Sequence, residues 1–360
     1  MNCSFSKVFF LWAAIIALGR AQEERIELIG TLTQDAWNSL GGLRPQTGHQ
    51  GTLNLVGNLF LWKNGDFRVH GLYNYGSLLS ESMGDLQFAN NMEAPKGFRL
   101  YEFWYQHRWE KGKVILGQQE INNNFANTTN GSYFINSSFG ISPEMTINFP
   151  LSTYPLTGLG MVIRQQISSS LELGVGFFDG HPGLDNQTPW GERMALNSRE
   201  GYFWISELQL NTFGTHKLGF WDYNSEGGAI RYSGYYLIGD IPLNKANAME
   251  KGWGLFYQLG WAQKQVPIVR SYQGFGWVYR GLFTENTDGI GMAYGRAQLS
   301  QSWRQQSQQT NERVLEISYD YSPKPWIRIQ PNWQMVFSPA QNDGISDASV
   351  FFIRLQIGAF

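Results

Sequence analysis

Cysteine is the first shortage: 360 residues contain one, Cys3, and it stands at the edge of an apolar leader. With that leader removed, neither a disulfide framework nor thiolate chemistry is available. Charge is scarce as well. Asp, Glu, Lys and Arg make up 16% of the chain, against roughly 25% in an ordinary soluble domain. The formal net charge is −2 and no basic run occurs, so there is no electrostatic reason to expect a nucleic-acid partner. The five histidines, His49, His70, His107, His181 and His216, are scattered without the spacing of a metal site. No heptad repeat or low-complexity tract is present. Beyond the leader no run reaches 18 apolar residues, which excludes a bundle of membrane helices.

The leader itself is informative. Lys7 precedes the apolar run "VFFLWAAIIALG", and the small residues Gly19 and Ala21 follow. That order describes a secretory signal peptide, whereas a membrane anchor would need about 20 apolar residues. The reading divides the chain into a signal peptide, 1–21, and one mature domain, 22–360, starting near Gln22.

What is abundant is aromatic residues, 15%, and glycine, 41 in number. The recurrent pattern is alternation with a period of two. In "RVLEISYDY", Leu315, Ile317, Tyr319 and Tyr321 share a face opposite Glu316, Ser318 and Asp320. In "WIRIQPNWQMVF", Ile327, Ile329, Trp333, Met335 and Phe337 oppose Arg328, Gln330, Asn332 and Gln334. In "LTGLGMVIRQQIS" the apolar face holds Leu159, Met161, Ile163 and Ile167, and Arg164 and Gln166 lie opposite. Successive strand side chains point to opposite faces, so each segment is greasy on one side and wet on the other.

Connections alternate in length. Tight ones fall at Asn64-Gly65, Lys111-Gly112, 168–170, 212–214 and 322–325, and longer stretches at 33–50, 77–99, 121–155, 179–201, 263–271, 301–311 and 338–349. Short turns on one rim and long loops on the other fit an outer-membrane barrel. The rhythm breaks between Ser225 and Lys251, where one strand is expected around Arg231 to Ile238. The count is about 16, giving an all-β class and a transmembrane antiparallel β-barrel. A sheet in hydrocarbon must close, because unpaired backbone groups there are costly. "VFFIRLQIGAF" then reads as the closing strand, with Phe351, Ile353, Leu355, Ile357 and Ala359 towards lipid and Arg354 and Gln356 towards the lumen. Phe360 falls on the polar parity unless a bulge near Gly358 restores it. Pro331 is awkward, since a closed barrel has no edge to absorb its missing donor. Trp62, Trp109, Trp221, Trp253 and Trp261 lie near strand ends, as interfacial aromatics do. A soluble β-sandwich or lipocalin-like barrel is disfavoured by the number and length of the strands.

The stretch from Arg99 to Gly180 resembles the carbohydrate-selective porin family (OprB type) of Gram-negative outer membranes. It is carried by "RLYEFWYQHRW", "GKVILGQQEINNNFA", "FINSSFGI", "YPLTGLGMVIR" and "GVGFFDGHPG". "GGLR" and "LEISYDYSPKPWIRIQPNWQMVFSP" extend it over nearly the whole mature chain; "GGLR" lacks an immediately preceding tryptophan, Trp37 lying upstream. The resemblance implies a 16-stranded channel without a cofactor, located in the cell outer membrane and narrowed by an inward-folding loop at 121–155. It also implies outer-membrane lipid and the barrel assembly machinery as partners, and it leaves homotrimer formation open.

A sugar-selective pore needs aromatic faces for the C–H face of a pyranose, and charged or amide groups for its hydroxyls. Binding must also be weak enough to release. Alternation in "LYEFWYQHRW" turns Tyr101, Phe103, Tyr105 and Trp109 to lipid and points Glu102, Trp104, Gln106 and Arg108 inward. Arg164 and Gln166 join them, with Glu120, Asp179 and the amides Asn122, Asn123 and Asn124 as further candidates. Thr157 shares the lipid parity. The bland alternative for each charge is solvation of a wide, water-filled lumen, because lumen walls are polar in general. The expected function is passive diffusion of mono- or small oligosaccharides. A general or differently selective porin is the alternative. A barrel-type enzyme would require a nucleophile held against a base, and no His-x-Ser arrangement or paired acid cluster stands out.

Overall fold

The computed structural model describes residues 25–182, 201–225, 228–244, 251–263, 265–284 and 287–359. Residues 1–21, read from the sequence as a signal peptide and including Cys3, and Phe360 therefore lie outside the described residues. Sixteen strands form one closed antiparallel barrel in which every strand pairs with its neighbours in sequence and β16 returns to β1. The first eight are β1 (Ile26–Gly42), β2 (Gln46–Trp62), β3 (Gly65–Gly76), β4 (Gly97–Trp109), β5 (Gly112–Gln119), β6 (Gly158–Gln166), β7 (Leu171–Asp179) and β8 (Tyr202–Thr212). The rest are β9 (Gly214–Ser225), β10 (Ile230–Pro242), β11 (Gly252–Ala262), β12 (Val269–Arg280), β13 (Asp288–Leu299), β14 (Asn311–Lys324), β15 (Ile327–Phe337) and β16 (Ser346–Gly358).

The outward face follows the alternation. Met161, Ile163, Phe351 and Ile353 are exposed, whereas Arg164, Phe352 and Arg354 between them are buried. Exposed Trp62, Trp109, Phe213, Trp253 and Trp326 gather at the short-turn rim, as an interfacial aromatic girdle requires.

Several local readings change. The stretch 33–50 is not a long loop: β1 and β2 run through it and only 43–45 connect them. Its alternation is disguised because the outward positions Gln34 and Asn38 are polar among the apolar Ala36 and Leu40. Gln34 accepts from the Tyr75 hydroxyl at 2.6 Å and Asn38 donates to Thr47 at 2.7 Å, while Trp37 turns inward. Around 225–251 the rhythm inverts, with a short link before β10 on the long-loop rim and 243–251 after it on the other. Trp221 is fully buried inside, not interfacial. Pro331 faces Ile353 on β16, but β14 has no registered partner at Tyr319 or Asp320 and resumes at Tyr321 in the same register. The missing donor thus falls in a two-residue gap of the ladder.

The lumen is not wide, and an inward-folding loop narrows it as the resemblance implies. The β5–β6 connection, 120–157, folds into the barrel and packs apolar side chains against the inner wall. Phe125 and Phe149 join Phe203, Trp221 and Tyr236 in one cluster, and Phe134 and Phe139 join Trp37, Phe256 and Phe352 in another. Phe149 stacks on Tyr223 with ring centroids 4.2 Å apart. Inward apolar residues, which look out of place on a polar wall, are the seats of this loop. Gly260 is required beneath it, because a Cβ there would overlap the Glu144 carboxylate.

Candidate functional site

Four carboxylates of the inner wall hold the loops by their backbone. Glu207 on β8 accepts from Ala126 N at 2.9 Å, and Asp240 on β10 from Thr129 N and Asn130 N at 2.8 Å each. Glu316 on β14 accepts from Ile135 N at 2.6 Å and Asn136 N at 2.9 Å. Glu312, two pleat repeats away on the same strand, accepts from Leu86 N and Gln87 N of the β3–β4 loop and from Ala340 N. An irregular loop inside a barrel leaves N–H groups without ladder partners, and a buried N–H must be paired. These acids supply the acceptors, so they are scaffold and not a solvated lumen wall.

The loops leave a cleft of about 860 Å³ between themselves and the wall formed by β1, β2 and β16. Its polar lining includes Asn54, Asn90, Asn91, Glu120, Asn122 and Arg354, and its aromatic lining includes Phe88, Tyr101 and Tyr154. Phe88 is 44% exposed into it and holds φ +50. A bulky residue in the left-handed region is an outlier, and the turn that imposes it is over-determined. Glu312 caps Leu86 and Gln87, Asp85 accepts from Ala89 N at 2.7 Å, and Phe88 O accepts from Ser137 N at 3.0 Å. Tyr154 donates its hydroxyl to Met92 O at 2.8 Å, tying the two loops together. A second cavity of about 440 Å³ lies beside the β4–β5 turn, beneath Asn123, Asn124 and Asn127.

The sequence candidates do not converge. Glu120 lines the larger cleft. Its carboxyl accepts from Thr153 at 3.1 Å, and burial pushes its pKa up to about 7. Arg108, Arg164 and Gln166 line the smaller cavity. Arg164 is a clasp: it pairs with Glu172 and with Glu207 at 3.1 Å, donates to Asn124 O and lies over the Phe125 ring. Arg108 pairs with Asp66 at 2.5 Å, and Gln106 sits against the same pair. Gln166 is exposed at the short-turn rim.

Glu102 is 1% exposed and accepts from Asn123 at 2.8 Å, Glu120 N at 3.3 Å and Arg68 at 3.2 Å. It anchors the start of the loop. Trp104 packs on the core with the Arg68 guanidinium 5.9 Å from its ring. Asp179 is buried at the end of β7, accepts from His181 N at 3.3 Å and lies beside Gly158; it lines neither cavity.

Two parity assignments are corrected. The β3–β4 register shifts between His70 and Gly71, so Tyr101 and Glu102 both turn inward. Tyr101 therefore contacts His70 and Tyr154 rings and not lipid. Thr157 is also buried, hydrogen-bonded to Gln118 and Tyr101 O. It precedes β6, where strand parity does not apply. Phe88, Asn90, Tyr154 and Arg354 were not selected as site residues. The amide run in "FANNMEAPK", parallel to "INNNFA", was the available signal for the first two.

The sequence profile of the carbohydrate-selective porin, OprB, family matches this chain over residues 52–240 and 224–358. Porin B of Pseudomonas aeruginosa is 20% identical over 316 residues, spanning 72% of this chain and 68% of that protein. The high-pH structure of Pseudomonas putida OprB superposes with a TM-score of 0.82 at 16% identity, covering 98% of this chain and 97% of that one. An anion-selective porin from Comamonas acidovorans superposes at 0.59 with 10% identity, over 92% of this chain and 99% of that one. At these identities the structural likeness establishes the barrel fold.

Proposed function

The chain belongs to the carbohydrate-selective porin, OprB, family and is an outer-membrane channel for sugars, not an enzyme; on that premise we propose that sugar passes through the cleft between the two inward loops and the β1–β2–β16 wall. The observation that carries this reading is the pairing of functions along one lining. Phe88 offers an exposed aromatic face, and Asn54, Asn91, Asn122 and Glu120 stand around it with amide and carboxylate groups. A pyranose presents the complement: an apolar C–H face and a rim of hydroxyls. Each contact is separately weak, as release requires. The charge on Arg354 is already spent on Asp35, so it polarises the cleft without attracting ions strongly.

Most of the residues chosen from the sequence take a supporting part in this reading. Glu102 and Arg164 hold the loop that narrows the path, Trp104 packs behind it, Gln106 stays with the Arg108–Asp66 pair, and Asp179 lines neither cavity. The apolar outer band and its aromatic rim match a lipid surround. Removal of residues 1–21, insertion through the barrel assembly machinery and association into a homotrimer complete the proposal.

The test is sugar block of ion current through the purified protein in a planar bilayer. Concentration-dependent block by glucose or a short oligosaccharide is expected, reduced by Asn122→Ala. Equal currents with and without every sugar tried would overturn the path. N-terminal sequencing from membranes, expected to begin near Gln22, and mass in detergent address processing and assembly.

A further inference from the structure

The smaller cavity carries an arrangement that stability alone disfavours. Lys113 on β5 stands directly opposite Arg108 on β4 and directly opposite Arg164 on β6. Like charges facing each other across adjacent strands are destabilising, and here three cations form one row. The outer two are neutralised, Arg108 by Asp66 and Arg164 by Glu172 and Glu207. Among the described residues Lys113 has no ion pair or hydrogen bond. Lys217, nine-tenths buried on β9, also lines the space and meets only amide oxygens, Asn127 O at 2.8 Å and Asn127 Oδ1 at 2.6 Å. Five cations line the cavity; with the carboxylates paired to them, Asp66 and Glu207, added to Glu110 and Glu172, four carboxylates face them and one positive charge is left over.

We propose that this vestibule is a binding site for an anionic monosaccharide, a sugar acid or sugar phosphate, whose acidic group docks on Lys113. The inference rests on the sugar-channel reading above and extends it to charged substrates. The ammonium of Lys113 has its donors free, and a ligand anion gives it the direct partner that Asp66, Glu172 and Glu207 give the two arginines beside it. Asn123, whose amide nitrogen is held by Glu102, keeps its amide oxygen for a sugar hydroxyl, while Asn127 and Gln209 are bonded to Asn122, Lys217, Arg164 and Asn211 and shape the wall. The cavity reaches the short-turn rim at Glu110 and Lys111, so the ligand is held at that mouth of the channel. A volume of about 440 Å³, open at the rim, has room for a monosaccharide.

The experiment is single-channel block with probes added from one side at a time: glucuronate, glucose 6-phosphate, glucose, acetate and inorganic phosphate. Glucuronate should block from the short-turn side at a lower concentration than glucose, and acetate should not. Lys113→Gln should raise the half-blocking concentration of glucuronate about five- to tenfold, the scale of one charge-assisted contact. It should leave glucose block unchanged, and Lys113→Arg should restore the acid preference. The ratio of glucose 6-phosphate to glucuronate block tells which acidic group is preferred. Lys113→Met, which keeps the stem, serves if the glutamine variant assembles poorly. Equal block by glucuronate and glucose, or equal shifts of both in Lys113→Gln, would overturn the site. So would inorganic phosphate or acetate blocking as well as the sugar acid. Loss of glucose block alone in the unaltered protein would count against the cleft and leave the Lys113-dependent difference to decide this site.

Discussion

Asp35 and Arg354 lie directly opposite each other across the strand pair that closes the barrel, with Nε and Nη2 of the guanidinium each 2.8 Å from a carboxylate oxygen. Asn90 and Asn91 of the β3–β4 loop accept from the same guanidinium at 3.1 and 2.9 Å. One buried pair therefore ties the first strand, the last strand and a channel-lining loop. Removing one partner of a buried ion pair costs about 3–5 kcal/mol, whereas replacing both by apolar groups is often neutral. Asp35→Leu or Arg354→Met alone should lower the temperature at which the folded band converts on an SDS gel. The double variant should recover most of the loss, and additive losses would contradict the pairing as the cause.

Glu316 makes a prediction about channel width. It is fully buried and holds Ile135 and Asn136 by their N–H groups. In Glu316→Ala these buried donors lose their acceptor, at roughly 1–3 kcal/mol each, and the loop should detach before the barrel does. Single-channel conductance should rise and sugar block fall, with circular dichroism unchanged. Unaltered conductance would mean that the apolar seats hold the loop unaided.

Phe88 is the aromatic face of the proposed path. Phe88→Ala should weaken sugar block by about 1 kcal/mol, roughly fivefold, the value of uncovering a small apolar surface. Phe88→Tyr should keep it. Because the backbone there is at φ +50, Phe88→Gly relieves strain while removing the ring. It should match Phe88→Ala in sugar block but exceed it in thermal stability. Block unchanged in all three variants would remove Phe88 from the path.

Glu120 predicts a pH effect on ion selectivity. Burial raises its pKa to about 7, so its carboxyl is neutral below that pH and charged above it. Acidification from pH 8 to pH 6 should remove one negative charge from the cleft and lower cation preference, read as a shift in reversal potential under a salt gradient. Glu120→Gln should hold the low-pH value throughout. A shift of the same size in that variant would assign the titration elsewhere.

The sequence by itself determined the barrel. Alternation such as Leu315 to Tyr321 and the closing strand up to Gly358 are local consequences of a period-two chain between lipid and polar interior, and sixteen strands follow from counting them. It also marked where the exceptional loop begins, because "INNNFA" breaks alternation after β5. The tertiary structure alone decided what lies inside. Tyr101 turns inward because of a one-residue register shift set by pairing with β3, and parity within β4 carries no trace of it. Glu102 and Arg164 read as pore charges from their inward parity, yet both are occupied with loop atoms contributed from elsewhere in the chain. Phe88 and Arg354 meet across more than two hundred residues in one cleft. Alternation fixes which face a side chain takes, but the partner it finds there depends on where the long loops come to rest.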